Sequence, residues 1–204
     1  MCAERPLHAD FDTIQSKFAL IGRYYGASLE RQVRSAVPTK EVVDAIRQSN
    51  LDEQIERLKT IDRPTQDNLG ILLDAHQYLT NFLESVTGVR KTSLASKYLH
   101  FHAPRSVFIF DSKAAHMIRR FLPKGHKTFP YAGLHDRKYE AFTRRCIHYR
   151  DYILEPKLGA LATPRMIDMK ILGSSAEQQR GELFRPLITG VTPLIDSGSS
   201  HLIE

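Results

Sequence analysis

The stretch from Leu69 to Val86 constrains the fold most, because its apolar residues recur every three or four positions. This spacing places them on one face of a helix, and that face must be buried against other parts of the fold. Thr65 is the predicted start of this helix and Gly88 its predicted end. The residues of the predicted buried face are Leu69, Leu72, Leu73, His76, Leu79, Phe82, Leu83 and Val86.

The same helical period recurs along most of the chain, and no strand-like alternation of apolar and polar residues persists. We therefore expect an all-α fold over residues 1–172. The other predicted helices run from Ile14 to Tyr25, from Ser28 to about Ala36, from Thr39, after Asn50, and over about 92–102, 112–122, 136–155 and 164–172.

The C-terminal segment 173–204 differs from the rest of the chain, because it combines four glycines, two prolines and a cluster of serines. This composition predicts an extended tail that straps onto the helical body. The tail carries no motif from which a function can be predicted.

Composition excludes several classes of protein. Of the 204 residues, 42 % are hydrophobic, which is enough for a packed core. No apolar run approaches the ~18–20 residues that span a bilayer, and the N-terminus has no apolar signal segment. Cys2 and Cys146 are too few for a disulfide scaffold, a four-cysteine zinc site or an iron–sulfur cluster. We therefore expect a reduced, cytoplasmic protein with no membrane partner.

Positive charge is concentrated in the middle of the sequence. The net charge is +6, yet Asp111 is the only acidic residue between Glu84 and Asp136. Such a basic field attracts a polyanion, so nucleic acid is the expected partner. The basic residues of this band are Arg90, Lys91, Lys97, Arg105, Lys113, Arg119, Arg120, Lys124 and Lys127, and it also holds His100, His102, His116 and His126.

A helical hairpin is predicted at about 86–93, at the start of this band. Gly88 can adopt the positive φ of a tight turn, and a new helix begins within a few residues. The start of a helix presents unpaired N–H groups that suit a phosphate, and Arg90 and Lys91 lie beside it. The hairpin is therefore a candidate clamp for one DNA phosphate, whatever the base sequence.

Asp111 follows a short apolar connector and precedes the next predicted helix. A carboxylate in this position is typical of a helix N-cap, where it accepts a hydrogen bond from an N–H of the first turn. A capping carboxylate can also face a cleft, so a structural role and a catalytic role are compatible.

Residues 84–122 resemble the helix-hairpin-helix superfamily of DNA base-excision glycosylases. In that family a lysine or a small hydroxyl residue begins the helix after the hairpin, with alanine two positions on, and a catalytic aspartate about 18 residues later. Ser93 and Ala95 match the helix start, and Asp111 lies 18 residues after Ser93. The hairpin departs from the family, because Arg90 occupies the place of its second glycine. The resemblance implies a two-lobed helical bundle.

The resemblance also implies an activity, in which a modified base is flipped out of DNA and excised by hydrolysis of its N-glycosidic bond. Asp111 and Ser93 are then the catalytic candidates. Serine in place of the family's lyase lysine goes with monofunctional enzymes, which leave an abasic site. Lys91 and Lys97 remain candidates for a lyase lysine.

Two further sets of residues follow from the resemblance and the charge pattern. The DNA-binding candidates are Gly88, Val89, Arg90, Lys91, Lys97, Lys113, Arg119 and Arg120. The candidates for the base pocket are Tyr24, Tyr25, Tyr78, Tyr98 and His102, although core packing is the competing interpretation of each.

We expect no cofactor and no metal. His100 and His102 are two positions apart, so on a helix they point in different directions and do not converge on one ion. Cys146 is interpreted as a small buried hydrophobe rather than as a nucleophile.

The expected partner is double-stranded DNA, bound by a monomer. The sequence resembles the small bacterial 8-oxoguanine-glycosylase-like proteins, some of which look like phage-defence enzymes that act on glucosylated hydroxymethylcytosine. Three alternatives stay open. They are a bifunctional glycosylase and lyase that excises 8-oxoguanine, a DNA-binding protein without catalysis, and a helical module whose basic face meets an acidic protein.

Overall fold

The computed structural model describes residues 2–25, 27, 29, 39–125, 133 and 135–183, with no side chains at 24–25, 39 and 174–183. The described residues contain helices and no strand, so the all-α prediction is confirmed. The helices are α1 Phe11–Tyr25, α2 Thr39–Arg47, α3 Leu51–Lys59, α4 Leu69–Thr87, α5 Thr92–His102, α6 Ser112–Met117, α7 Arg137–Tyr149, α8 Glu155–Leu158 and α9 Pro164–Leu183. A 3₁₀ turn, Ile118–Phe121, extends α6, and a π-helical turn, Arg150–Leu154, separates α7 from α8.

The most extensive helix contacts fall into two groups. Helices α1 to α5 pack against one another, and α6 to α9 pack against one another through the 3₁₀ and π-helical turns. The buried apolar side chains of both groups nevertheless form one continuous core. Within the described part of the chain, no helix has the length and apolar character that crossing a membrane requires.

Helix α4 has the buried face that its period predicts. Leu72, Leu79 and Leu83 are almost completely inaccessible to solvent. Gly88 ends the helix with a φ of 68°, the left-handed conformation that glycine adopts at low cost. The predicted start at Thr65 is wrong, since the helix begins at Leu69. Thr65 and Asn68 instead bond each other's N–H groups through their side chains and form a turn before the helix.

The predicted boundary of the C-terminal tail also needs correction. Helix α9 continues to Leu183, so residues 173–183 are helical rather than extended. Gly173 is tolerated there because a glycine within a helix costs only about 1 kcal/mol. The rest of the predicted tail, residues 184–204, and the helix predicted from Ser28 lie outside the described residues.

A buried polar cluster attaches the N-terminal segment to the helical body. His8 bonds the carboxylate of Asp52 through Nδ1 (2.5 Å) and the hydroxyl of Tyr98 through Nε2 (2.6 Å). Lys17, also buried, donates from Nζ to the carbonyl oxygens of Pro6 and Leu7. These bonds give partners to polar groups that would be costly to bury alone.

His102 lies in the same cluster, and its ring packs against the rings of His8 and Tyr98. Within the part of the chain that the structure describes, neither ring nitrogen has a hydrogen-bond partner. Burial lowers the pKa of His102 to about 2, and the nearby charge of Lys17 acts in the same direction. The ring is therefore neutral in the folded protein.

Buried neutral histidines predict a loss of stability in acid. The pKa of His102, and that of His76 at about 4, lie below the ordinary value of 6.5. Below about pH 6.5 these histidines bind protons in the unfolded chain but not in the folded chain. For each pH unit of acidification, each ring therefore lowers the free energy of unfolding by up to about 1.4 kcal/mol. His102→Leu should therefore weaken this acid dependence, as measured by urea denaturation at several pH values.

His116→Leu is the matched control, since His116 is exposed and solvent surrounds its ring in both the folded and the unfolded chain. An unchanged acid dependence in His102→Leu would contradict the assignment of a buried neutral ring.

Candidate active site

The site is built on a buried extended segment, Val107–Phe110, which connects α5 to α6. Its polar backbone groups need side-chain partners, because no strand lies beside it in the described structure. His100 donates from Nδ1 to the carbonyl of Val107 (2.7 Å), and the hydroxyl of Tyr139 donates to that of Phe108 (3.1 Å). Helices α5 and α7 thus hold the segment from two sides.

Two serines of α5 hold the end of this segment. Ser93 donates from Oγ to the carbonyl of Phe110 (3.0 Å). Ser96 accepts the N–H of Phe110 at its Oγ (3.0 Å) and donates to the carbonyl of Ser93 (3.0 Å). Because Phe110 directly precedes Asp111, these bonds also fix the backbone position of Asp111.

Asp111 is the N-cap of α6, as its position in the sequence predicts. Its backbone is extended (φ −145°, ψ 169°), and Oδ1 accepts the N–H of Ala114 at 2.7 Å. The residue is half-buried, so it lies between the core and the surface. The carboxylate is therefore both oriented by the helix and close to solvent, as a catalytic carboxylate must be.

The structure adds Asp168, which the sequence did not single out, to the surroundings of Asp111. Helix α9 packs against α6 and carries Asp168, which is 5 % exposed. One of its oxygens accepts from Arg165 (2.6 Å), and the other is buried with no hydrogen-bond partner among the described residues. Burial raises the pKa of Asp168 and the charge of Asp111 raises it further, while the charges of Arg165 and Lys97 oppose this shift.

The charges of Asp111 and Lys97 both act on Asp168, so the three side chains lie in the same region of the fold. They belong to α6, α5 and α9, and nothing in the sequence indicates that α9 packs near the other two helices. One signal in the sequence could have identified Asp168. It is an acidic residue at a position where the helical period predicts a buried side chain.

The hairpin between α4 and α5 is fixed by internal bonds. Gly88 forms the predicted left-handed turn, and Val89 donates its N–H to the hydroxyl of Thr87 (3.3 Å). Arg90 pairs with Glu84 (3.0 Å) and with Asp136 (3.3 Å). The guanidinium that was predicted to bind a phosphate therefore already has two carboxylate partners.

Asp136 links the hairpin to α7. It caps α7 through Oδ1 and accepts the hydroxyl of Thr92 through Oδ2 (2.6 Å). Burial alone would raise its pKa, but the hydrogen bonds of Thr92 and Tyr139 and the charge of Arg90 lower it overall. The carboxylate therefore stays ionised and holds the start of α5 in place.

The remaining basic candidates differ in exposure. Lys91 and Lys97 are buried, at 7 % and 4 % exposure. Lys113, Arg119 and Arg120 are exposed on α6 and the 3₁₀ turn that follows it. Lys127 and His126 of the predicted basic band lie outside the described residues.

The three described aromatic candidates for the base pocket, Tyr78, Tyr98 and His102, have structural roles. Tyr98 is fully buried and stacks on Phe18, with ring centroids 4.1 Å apart. Tyr78 accepts the N–H of Asn50 (2.8 Å) and so completes the start of α3. Tyr98 and His102 are therefore core residues, as the competing interpretation of core packing predicts. The side chains of Tyr24 and Tyr25 lie outside the described ones.

His100 and His102 have separate surroundings, since one bonds Val107 and the other lies beside His8. Among the described residues, no group of three or more His, Cys, Asp or Glu side chains is arranged to hold a metal ion. Cys146 is completely buried, as predicted, and burial raises the pKa of its thiol.

Comparison of the chain with known protein families, with curated proteins and with solved structures gave no significant match. The functional interpretation therefore depends on the residues of the site and their geometry.

Ser96→Ala tests how the segment before Asp111 is held. The substitution leaves the buried N–H of Phe110 without its partner, which should lower the free energy of unfolding by about 1–3 kcal/mol. Chemical denaturation measures this effect. Ser85→Ala is the matched control, because that hydroxyl also bonds a carbonyl three residues earlier (2.7 Å) but is exposed. Equal effects of the two substitutions would contradict the proposed role of Ser96.

Proposed function

We propose that this protein is a monofunctional DNA glycosylase of the helix-hairpin-helix type, acting as a monomer in the bacterial cytoplasm. The observation that carries the proposal is the placement of Asp111. A buried segment and two serines orient this half-buried carboxylate, and it lies in the most basic part of the chain. The division of the helix contacts into two groups supports a two-lobed bundle.

The chemistry requires one negative charge beneath a sugar. When the N-glycosidic bond breaks, its electron pair leaves with the base and positive charge develops on the deoxyribose. The carboxylate of Asp111 stabilises that charge and orients a water molecule. The water oxygen bonds to C1′, one of its protons passes to the carboxylate, and the released base takes up a proton from solvent.

Burial and the charge of Asp111 raise the pKa of Asp168, so Asp168 holds a proton more readily than an exposed carboxyl group does. The charge of Lys97 favours a carboxylate in the same site. Ser93 acts as a positioning residue, since its hydroxyl bonds the carbonyl that precedes Asp111.

DNA is held on the exposed basic side of Asp111. Lys113 lies in the first turn of α6, and Arg119 and Arg120 follow on the 3₁₀ turn. These side chains contact backbone phosphates and carry no information about base sequence. The hairpin is the weaker candidate for phosphate contact, because the N–H groups of Gly88 and Val89 already bond Glu84 and Thr87, and the side chain of Arg90 is paired.

Asp111→Asn should abolish base excision and preserve DNA binding. Asparagine caps a helix about as well as aspartate, so the fold should persist while the catalytic charge is lost. Activity is measured as strand scission after alkali treatment, and binding as the Kd for duplex DNA. Asp10→Asn is the matched control, because Asp10 caps α1 through the N–H of Thr13 (2.8 Å) outside the site.

The substrate panel for this assay contains phage DNA with glucosylated hydroxymethylcytosine, duplexes with 8-oxoguanine, and unmodified DNA. We expect mass spectrometry to detect the release of the modified cytosine only. Release of 8-oxoguanine would instead favour the repair alternative. Tight binding without release of any base would overturn the enzyme proposal and favour a DNA-binding protein without catalysis.

The absence of a lyase step is tested by borohydride trapping. A lysine that attacks C1′ forms a Schiff base, which borohydride reduces to a stable covalent complex with DNA. We expect no such complex, because Ser93 occupies the expected position of the lysine and Lys97 is buried within α5. A trapped complex that disappears in Lys97→Gln but persists in Lys91→Gln would show that the enzyme is bifunctional.

A further inference from the structure

A strongly basic cavity lies at the far end of α6 from Asp111. It has a volume of about 560 Å³ and lies between the 3₁₀ turn, the loop after it and α7. The residues that line it are Arg119, Arg120, Leu122, Pro123, Lys124, Gly125 and Arg145. None of these described lining residues is acidic, so four cationic side chains face one space.

Arg145 brings positive charge into the cavity from a second helix. It comes from α7, is half-buried, and faces the group of Arg119 and Arg120 across the cavity. Burial lowers the pKa of Arg145, and the charge of Arg119 lowers it further. Cations held this close repel one another, and an anion between them removes the repulsion.

We propose that this cavity binds two or more adjacent phosphate groups, as found in a nucleoside polyphosphate. Planar guanidinium groups bind phosphate oxygens through paired hydrogen bonds, and Arg119, Arg120 and Arg145 supply three of them. Lys124 adds a point charge at the edge.

The shape of the site favours a free ligand over a nucleic acid backbone. The volume falls in the range of about 300–1,000 Å³ that is typical of small-molecule sites. Leu122 and Pro123 give the cavity an apolar portion that suits a sugar or a base. The backbone of duplex DNA offers the same phosphate chemistry, so the experiment includes both sources.

The cavity is a site separate from Asp111. Arg119 lies eight residues after Asp111, which corresponds to roughly 12 Å along a helix. A ligand there would contact the end of the same helical element that Asp111 caps, without touching the carboxylate.

Isothermal titration calorimetry with inorganic pyrophosphate, ATP and an unmodified duplex tests the proposal. We expect pyrophosphate and ATP to bind the wild-type protein, and Arg145→Gln to weaken that binding at least about tenfold, since charged hydrogen bonds are lost. Arg119→Gln, at an exposed position, provides a second variant if Arg145→Gln folds poorly. Arg137→Gln is the matched control, because it removes one exposed charge from α7 outside the cavity.

The titrations distinguish a free polyphosphate from the backbone of duplex DNA as the ligand. Weaker binding of ATP and pyrophosphate in Arg145→Gln identifies a free polyphosphate. A loss confined to the duplex, and larger than that of Arg137→Gln, shows that these side chains serve only the DNA contact of the proposed function, and it overturns the polyphosphate proposal.

The proposal is overturned if neither ligand class binds the wild-type protein, or if Arg145→Gln and Arg119→Gln behave like Arg137→Gln. This result does not depend on the glycosylase proposal. Phosphate binding is measured without a modified base, and loss of excision in Asp111→Asn leaves it unchanged.

Discussion

The buried segment Val107–Phe110 is the constraint on which the rest of the structure depends. An extended chain in a helical core has backbone N–H and C=O groups that no neighbouring strand can satisfy, and each unpaired group would cost about 1–3 kcal/mol. Side chains of α5 and α7 provide the partners instead, through His100, Tyr139 and Ser96. Because these two helices belong to different groups of helix contacts, the segment holds the two groups together, and the position of Asp111 follows from its end.

A second set of bonds makes the hairpin rigid around the same site. His76 is neutral, because burial lowers its pKa to about 4, and its ring stacks on Tyr139 at 3.6 Å. The same ring bonds the carbonyl of Thr92 (3.1 Å), while Asp136 accepts the hydroxyl of that residue. The start of α5 is therefore held by α4 and by α7 together, so Ser93 in its first turn has a defined position relative to Phe110.

Much of the fold could be predicted from the sequence, because helical period and glycine placement are local signals. The predicted helix at 92–102 matches α5, and Gly88 ends α4 as expected. The site could be predicted only in part. Asp111 is identified by its local context, whereas Asp168 reaches it through packing of α9 on α6, which no local pattern records. Tyr98 was a candidate for the core and for the pocket, because an aromatic residue at helical spacing suits both, and it is buried in the core.

The basic band is divided by folding into parts with different roles. Arg90 is neutralised by Glu84 and Asp136, and Lys97 is buried beside Asp168. The exposed cations are concentrated on α6, on the 3₁₀ turn and in the loop after it, and they include Lys113, Arg119, Arg120 and Lys124. A polyanion therefore meets the strongest positive field along the α6 side of Asp111 rather than at the hairpin. Under the proposed function the duplex should approach from this side, since field strength governs the first encounter.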